Sequence, residues 1–224
     1  MPDGALVALL GRNGMGKTSL CRSIMALGPP HVKGGSISYD GTELVGLPAH
    51  KVARVGLGYV PQGRHVFGSL DVVENLTIAA RTKPARNGAG DDDSGGDEAW
   101  TLERVWELFP RLQERRSNRA GQLSGGEQQM LAIGRALMTN PTLLIMDEPS
   151  EGLAPIIVEQ VGERLAMLKG SSLSMLLVEQ NYSLANELAD VAYVIENGRI
   201  VFHGTPAELD GDEELKRRCL GVGA

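Results

Sequence analysis

An α/β fold with a parallel-sheet core, a helical subdomain and a small antiparallel portion is what this 224-residue sequence predicts, on three observations. The stretches 5–10, 143–146 and 174–178 are apolar runs without alternation, the pattern of strands buried on both faces of a parallel sheet. The first of them runs directly into a glycine-rich turn that opens a helix. Late in the chain, Asn197-Gly198 separates the apolar stretches 193–195 and 199–201, which is a strong hairpin signal.

The elements follow in order. A helix is expected from Thr18 to about Ala26, then a short strand over 34–41 closed by the turn Asp40-Gly41. Beyond Val60 the pattern becomes helical. Asp71 and Glu74 are spaced as a capping box ahead of Val72, Val73 and Leu76, and Leu102, Val105, Trp106 and Phe109 fall on one face of a second helix. Between these helices, 84–98 is rich in Gly, Asp, Asn and Ser and reads as a flexible acidic loop. A fourth core strand is expected over 191–196. A chain that is 42% hydrophobic can bury one core at this length, so 1–224 is read as one domain. Within it, 1–62 and 124–224 form the sheet core and about 63–123 the helical subdomain.

Composition excludes several classes. A formal charge of −6 without any Lys/Arg cluster offers no surface for nucleic acid. No run approaches the roughly 20 apolar residues that span a bilayer, and Met1-Pro2-Asp3-Gly4 lacks the basic start of a signal peptide, so a cytoplasmic location is expected. Cys21 and Cys219, at opposite ends of the chain, suggest neither a disulfide framework nor a zinc site, and the four histidines have no metal-pair spacing.

Three motifs carry chemistry. Gly11-Arg12-Asn13-Gly14-Met15-Gly16-Lys17-Thr18, followed by Ser19, fits the phosphate-binding loop G-x-x-x-x-G-K-[ST] and lies where that loop belongs, between a buried strand and a helix start. Its glycines let successive N–H groups face phosphates, Lys17 adds a full positive charge, and Thr18 supplies a hydroxyl to magnesium. The strand 143–146 ends in Asp147-Glu148-Pro149, placing two carboxylates at the edge where open α/β sheets bind ligands. Asp147 suits a magnesium ion and Glu148 suits alignment of the attacking water. In Leu123-Ser124-Gly125-Gly126-Glu127, Ser124 and Glu127 are spaced as a capping box, so Gly125 and Gly126 open a helix with free N–H groups. That helix carries Met130, Ile133 and Leu137 on its apolar face and stops at Asn140-Pro141.

The phosphate loop, Gln62 in Val60-Pro61-Gln62-Gly63, the Leu-Ser-Gly-Gly-Glu stretch and Asp147-Glu148-Pro149, in this order, resemble the ABC ATPase family over almost the whole chain. The resemblance implies ATP and Mg2+ as cofactors, with Gln62 joining Thr18 and Asp147 at the metal and coupling nucleotide to the helical subdomain. It also implies a head-to-tail homodimer or heterodimer, in which Ser124 and Gly126 complete the site built on the partner's phosphate loop. More narrowly, Gly11-Arg12-Asn13-Gly14, Gln62-Gly63-Arg64, Glu151-Gly152-Leu153-Ala154-Pro155 and Glu179-Gln180-Asn181 are similar to stretches in ATPases of branched-chain amino acid importers and the related urea and amide importers. Membrane permeases, a second ATPase and, indirectly, an extracytoplasmic binding protein are the partners this implies, at the inner face of the cell membrane.

Three departures from the general family pattern stand out. Gln180 occupies the position where most members carry a catalytic histidine; it can hydrogen-bond to a γ-phosphate but cannot titrate near neutral pH. Ala154 replaces a customary aspartate. Only ten residues precede Gly11 and none is aromatic, so no side chain there stacks on adenine and weaker nucleotide binding is expected. The alternatives are a soluble ABC protein outside transport, disfavoured by the lack of a second cassette or basic linker, and a binding module with little turnover, disfavoured by the retained Glu148.

Overall fold

The computed structural model describes residues 2–81 and 99–221; the acidic stretch 84–98 lies outside them. The elements in chain order are β1 (Leu6–Leu10), α1 (Lys17–Ile24), β2 (Ser38–Tyr39), β3 (Thr42–Glu43), α2 (Ala49–Val52), β4 (Leu57–Val60), α3 (Val72–Thr77), α4 (Leu102–Leu108), α5 (Pro110–Glu114) and α6 (Gly125–Leu137). There follow β5 (Leu143–Asp147), α7 (Pro155–Leu168), β6 (Ser174–Glu179), α8 (Tyr182–Leu188), β7 (Val191–Glu196), β8 (Arg199–Gly204), α9 (Pro206–Asp210) and α10 (Glu213–Leu215).

Six strands form one sheet in the order β4-β5-β6-β1-β7-β8, with every pairing parallel except β7 with β8. The unbroken apolar runs have a direct cause: their residues alternate between two cores. Leu144 and Met146 of β5 pack into a cluster with Leu76, Val105, Phe109, Ile133 and Val161 from the helices on one face. Their neighbours Leu143 and Ile145 join Cys21, Met25, Leu44 and Val52 on the other. Both faces are apolar, so no polar alternation survives.

Local chemistry sets the boundaries. Asn197 and Gly198 both have positive φ (50° and 77°), as the two-residue hairpin joining β7 to β8 requires. The expected strand over 34–41 is shorter than read: only Ser38–Tyr39 pairs, with Thr42–Glu43, around Asp40-Gly41 (φ 46° and 71°). The helix read through Phe109 ends at Leu108. Proline at 110 disfavours helical backbone at the residue before it, and Phe109 adopts φ −127°, ψ 71° before α5 begins. Strand β4, with a glycine at its second position, had no apolar run to announce it.

Helices α3 and α5 pack on α6, and Gly134 of α6 admits the side chains of Leu76 and Val105 so closely that a Cβ there would meet them at 3.1–3.2 Å. After α6, Asn140 has φ 54° and turns its amide back: Nδ2 donates to the Arg81 carbonyl (2.6 Å) and Oδ1 accepts from the Trp100 N–H (2.6 Å). The residues flanking 82–98 are thereby held to the end of α6. No helix among the described residues is long and apolar enough to cross a membrane.

Candidate nucleotide site

The strand order explains why distant motifs meet. β4, β5, β6 and β1 are successive neighbours and parallel, so their C-terminal ends form one edge. That edge carries Gln62, Asp147-Glu148, Glu179-Gln180 and the loop 11–18. It is where ligands of open parallel sheets bind.

In the loop, Gly14 and Gly16 take φ 81° and 102°, a region that penalises any residue with a Cβ. Gly11 is required for a different reason: a Cβ there would lie 2.7 Å from the Ile195 carbonyl oxygen of β7. The turn of the β7–β8 hairpin braces the loop from outside, with the Gly198 N–H donating to the Met15 carbonyl (3.0 Å) and the Asn197 N–H to Met15 Sδ (3.3 Å). Arg12, Asn13 and Ser19 are exposed.

Lys17 is 3% exposed, and its ammonium donates to the carbonyls of Gly11 (2.6 Å) and Arg12 (3.1 Å) while lying 2.9 Å from Glu148 Oε1. Thr18 Oγ1 donates to Asp147 Oδ1 and Tyr59 Oη to Asp147 Oδ2, both at 3.2 Å. Burial pushes the Asp147 carboxyl above the usual carboxylate range, against the two hydroxyl donors. The same burial, together with the Asp147 charge, raises the Tyr59 hydroxyl, so it stays a donor.

Glu148 follows in the left-handed region (φ 50°), which costs a residue with a Cβ on the order of 1 kcal/mol. Its N–H donates to the Val178 carbonyl (2.8 Å), and this bend swings its carboxylate off the strand toward Lys17. Gln62 Nε2 donates to Glu148 Oε2 (3.3 Å) and Glu151 Oε2 (2.8 Å). With the amide hydrogens so engaged, the Gln62 carbonyl oxygen is left to accept or to coordinate.

The structure thus brings together Lys17, Thr18, Gln62, Asp147 and Glu148. Gln180 stands beside them rather than among them. Its backbone is fixed at the end of β6, but its side chain is exposed and shares no hydrogen bond with that cluster among the described residues. Ser124 to Glu127 are elsewhere again. The capping box is formed, with Ser124 Oγ accepting from the Glu127 N–H (3.3 Å) and Glu127 Oε2 from the Ser124 N–H (2.8 Å). Partial burial of Glu127 is outweighed by the bonds from Ser124 and the charges of Arg115 and Arg111, which hold its carboxyl below the ordinary range. Among the described residues, no hydrogen bond or ion pair joins 124–127 to the phosphate loop.

Four residues at this edge have contacts to which the sequence assigned no role, three of them within stretches quoted for the resemblance. Tyr59 positions Asp147 from a strand without an apolar signature. Glu151 holds Gln62, and Arg64 reaches the Gly152 carbonyl (3.1 Å). Glu179, 1% exposed, accepts from the N–H groups of Ser150 (2.9 Å), Gln180 and Asn181 (both 3.0 Å) and so ties two loops of the edge together. A carboxylate closing an otherwise apolar run was the signal available for Glu179.

The sequence profile described as ABC transporter matches residues 1–151. The chain belongs to the ABC transporter family. It is 48% identical to the "High-affinity branched-chain amino acid transport ATP-binding protein BraG" of Pseudomonas aeruginosa, over 97% of this chain and 88% of that one. It is 37% identical to the "Probable branched-chain amino acid transport ATP-binding protein LivF" of Archaeoglobus fulgidus, again over 97% and 88%. In fold it matches the crystal structure of a nucleotide-free ATP-binding cassette from an ABC transporter with a TM-score of 0.77, at 23% identity, covering 100% of this chain and 90% of the other. As an ABC ATPase, the chain binds nucleotide and couples ATP hydrolysis to transport.

Proposed function

We propose that this ABC ATPase powers an importer of branched-chain amino acids from the inner face of the cell membrane, and that its hydrolytic site is the cluster at the C-terminal sheet edge. The observation that carries the catalytic part is the convergence of two adjacent networks at this edge, Lys17–Glu148–Gln62 and Thr18–Asp147. The amino-acid part rests on the transport roles named for the bacterial and archaeal relatives.

In this reading Lys17 exchanges the Gly11 and Arg12 carbonyls for the β- and γ-phosphates, which the N–H groups of 11–19 cradle. The donors fit magnesium: the Thr18 hydroxyl, the Asp147 carboxylate and the Gln62 carbonyl are hard oxygens, and Asp147 is a buried carboxylate whose partners are hydroxyls. The ion supplies neutralisation of phosphate charge. Glu148, freed from Lys17, orients the attacking water, and Gln180 donates a hydrogen bond to the γ-phosphate from the adjacent strand end. Ser124, with the N–H groups of Gly125 and Gly126 that its cap with Glu127 presents, faces the nucleotide of a second ATPase in a homo- or heterodimer. The segment 63–123 is the helical subdomain that docks on the permeases, which receive substrate from an extracytoplasmic binding protein.

The test is uptake of radiolabelled leucine and urea in cells lacking this chain. The reading expects leucine uptake to fall and to be restored by the wild-type chain but not by Glu148→Gln. Intact leucine uptake with lost urea uptake would replace the substrate class.

A further inference from the structure

Glu179 takes no part in the chemistry proposed above, yet it is as buried as Asp147, at 1% against 0% exposed. Its hydrogen-bond partners are Ser150, Gln180 and Asn181, and it forms no ion pair among the described residues. Burial pushes its carboxyl above the ordinary range, and the bonds from these three residues oppose the rise. Burying a carboxylate without a cation is costly, so the contacts it makes are where its use must be sought.

Those contacts lie just past the end of a ladder. β5 and β6 pair as far as Asp147 opposite Val178. One step on, the Glu148 N–H still reaches the Val178 carbonyl (2.8 Å), but Pro149 has no N–H with which to continue. The Glu179 side chain takes over there, one oxygen to each loop. Oε1 accepts from the Ser150 N–H (2.9 Å), and Oε2 accepts from the N–H groups of Gln180 and Asn181 (both 3.0 Å). Beyond Gln180 the chain is pinned again, because Asn181 Oδ1 accepts from the Leu184 N–H (3.2 Å) and starts α8. On the other side, Ser150 lies between Glu148 and Glu151, the two carboxylates that hold Gln62.

We infer that Glu179 is a positioning residue that acts through Gln180: its carboxylate holds the Gln180 backbone at a fixed place against the loop 148–151, and so sets the reach of the Gln180 amide to the γ-phosphate beside Glu148. The inference rests on the proposed nucleotide site. The Gln180 side chain is exposed and rotatable, so its aim depends on where its backbone starts. A displacement of about 1 Å is enough to lose a hydrogen bond to a phosphate oxygen held in place by the loop 11–18. The bridge needs both the chemistry and the length of glutamate. Glutamine offers a single acceptor oxygen and turns an NH2 donor toward the N–H of the other loop. Aspartate keeps the charge and both oxygens but is one methylene short of spanning the two loops.

The test is the preference of the full chain for the magnesium complex of a non-hydrolysable ATP analogue over Mg-ADP, measured by titration at monomeric concentration. The ratio isolates the γ-phosphate, and ADP affinity reports on the rest of the site. Gln180→Ala is expected to lower the preference by about five-fold while ADP affinity stays within about two-fold. Glu179→Gln and Glu179→Asp are each expected to lower it by about three-fold or more, again with ADP affinity kept. The double variant of Glu179→Gln with Gln180→Ala is expected to lie within about two-fold of Gln180→Ala alone, because the second change removes what the first positions. A wild-type preference in either Glu179 variant overturns the inference, and so does a loss in which both affinities fall together, the mark of a merely structural residue. A preference unmoved by Gln180→Ala, or a double variant whose loss is the product of the two single losses, overturns it equally. A wild type that binds neither nucleotide fails the proposed nucleotide site itself, a separate result read from the affinities and not from their ratio. Melting curves establish that each variant is folded at the assay temperature, and if one Glu179 variant is not, the other carries the comparison.

Discussion

The sheet edge around Lys17 and the start of α6 are the two places proposed to meet phosphate, and they are held in opposite ways. At the sheet edge, residues from β1, β4, β5 and β6 hold one another across up to 129 positions of sequence, as between Thr18 and Asp147, and charged groups are buried to do so. At the start of α6 the contacts are between neighbours: Ser124 and Glu127 satisfy each other within four residues, at the surface. The first arrangement trades stability for chemistry, since Asp147 and Glu179 are carboxylates that burial disfavours. The second is closed by its own neighbours, with Glu127 held by Ser124, Arg111 and Arg115.

Changes at the two places should therefore differ in kind, and the largest effect belongs to the edge. Glu148→Gln should lower ATP turnover by about 100-fold or more while leaving Mg-ATP bound, because the amide keeps the Gln62 contact but cannot take a proton from water. Steady-state phosphate release checks it, and turnover within a few-fold of wild type would move the water-orienting role elsewhere. Next is Glu179→Gln, which sets an amide donor against one of the N–H groups of Ser150, Gln180 or Asn181 and should cost about 1–3 kcal/mol in urea unfolding. Ser124→Ala removes one local cap and should cost only about 1 kcal/mol. If it cost more than Glu179→Gln, the contrast between a cross-braced edge and a self-contained cap would be wrong.

The smallest effect has the opposite sign. Asp147 has its pKa raised in the fold, so the fold prefers the protonated form. Its contribution is complete below the ordinary aspartate pKa and is lost as pH rises through the raised value. Asp147→Asn should accordingly melt a few degrees above wild type near neutral pH, with the gap closing in acid. Glu127 behaves in reverse, because its depressed carboxyl supports the cap above the ordinary range and loses that support as pH falls. Melting curves from pH 4 to 8 separate the two.

How much of this was legible depended on the same distinction. Most features made by neighbours were read directly: the capping boxes at Asp71–Glu74 and Ser124–Glu127, though not the third at Thr205–Glu208, the Asn197-Gly198 hairpin, and the glycine-rich loop between strand and helix. The four runs now seen as β1, β5, β6 and β7 were also plain, because burial on both faces leaves no polar interruption. Features made by convergence came only with the family resemblance, as for Gln62, Thr18 and Asp147, or not at all. Tyr59 gives no sign in sequence of facing Asp147, since that contact depends on β4 lying beside β5 in the sheet. The reach of Arg64 to Gly152 likewise depends on how two loops of the edge pack together. Gln180 could be placed at the edge from its motif, but its exposure could not, because the carboxylate of Glu179 fixes the backbone and leaves the side chain outward.

The central claim is that the converged edge, and not the α6 start, holds this chain's own nucleotide. Titration of Mg-ATP into wild type, Lys17→Ala and Ser124→Ala at monomeric concentration tests it most directly. Affinity should fall by about 100-fold or more in Lys17→Ala, which loses the buried cation, and stay within about two-fold of wild type in Ser124→Ala. Equal affinity in Lys17→Ala and wild type, or a large loss in Ser124→Ala alone, would contradict the account.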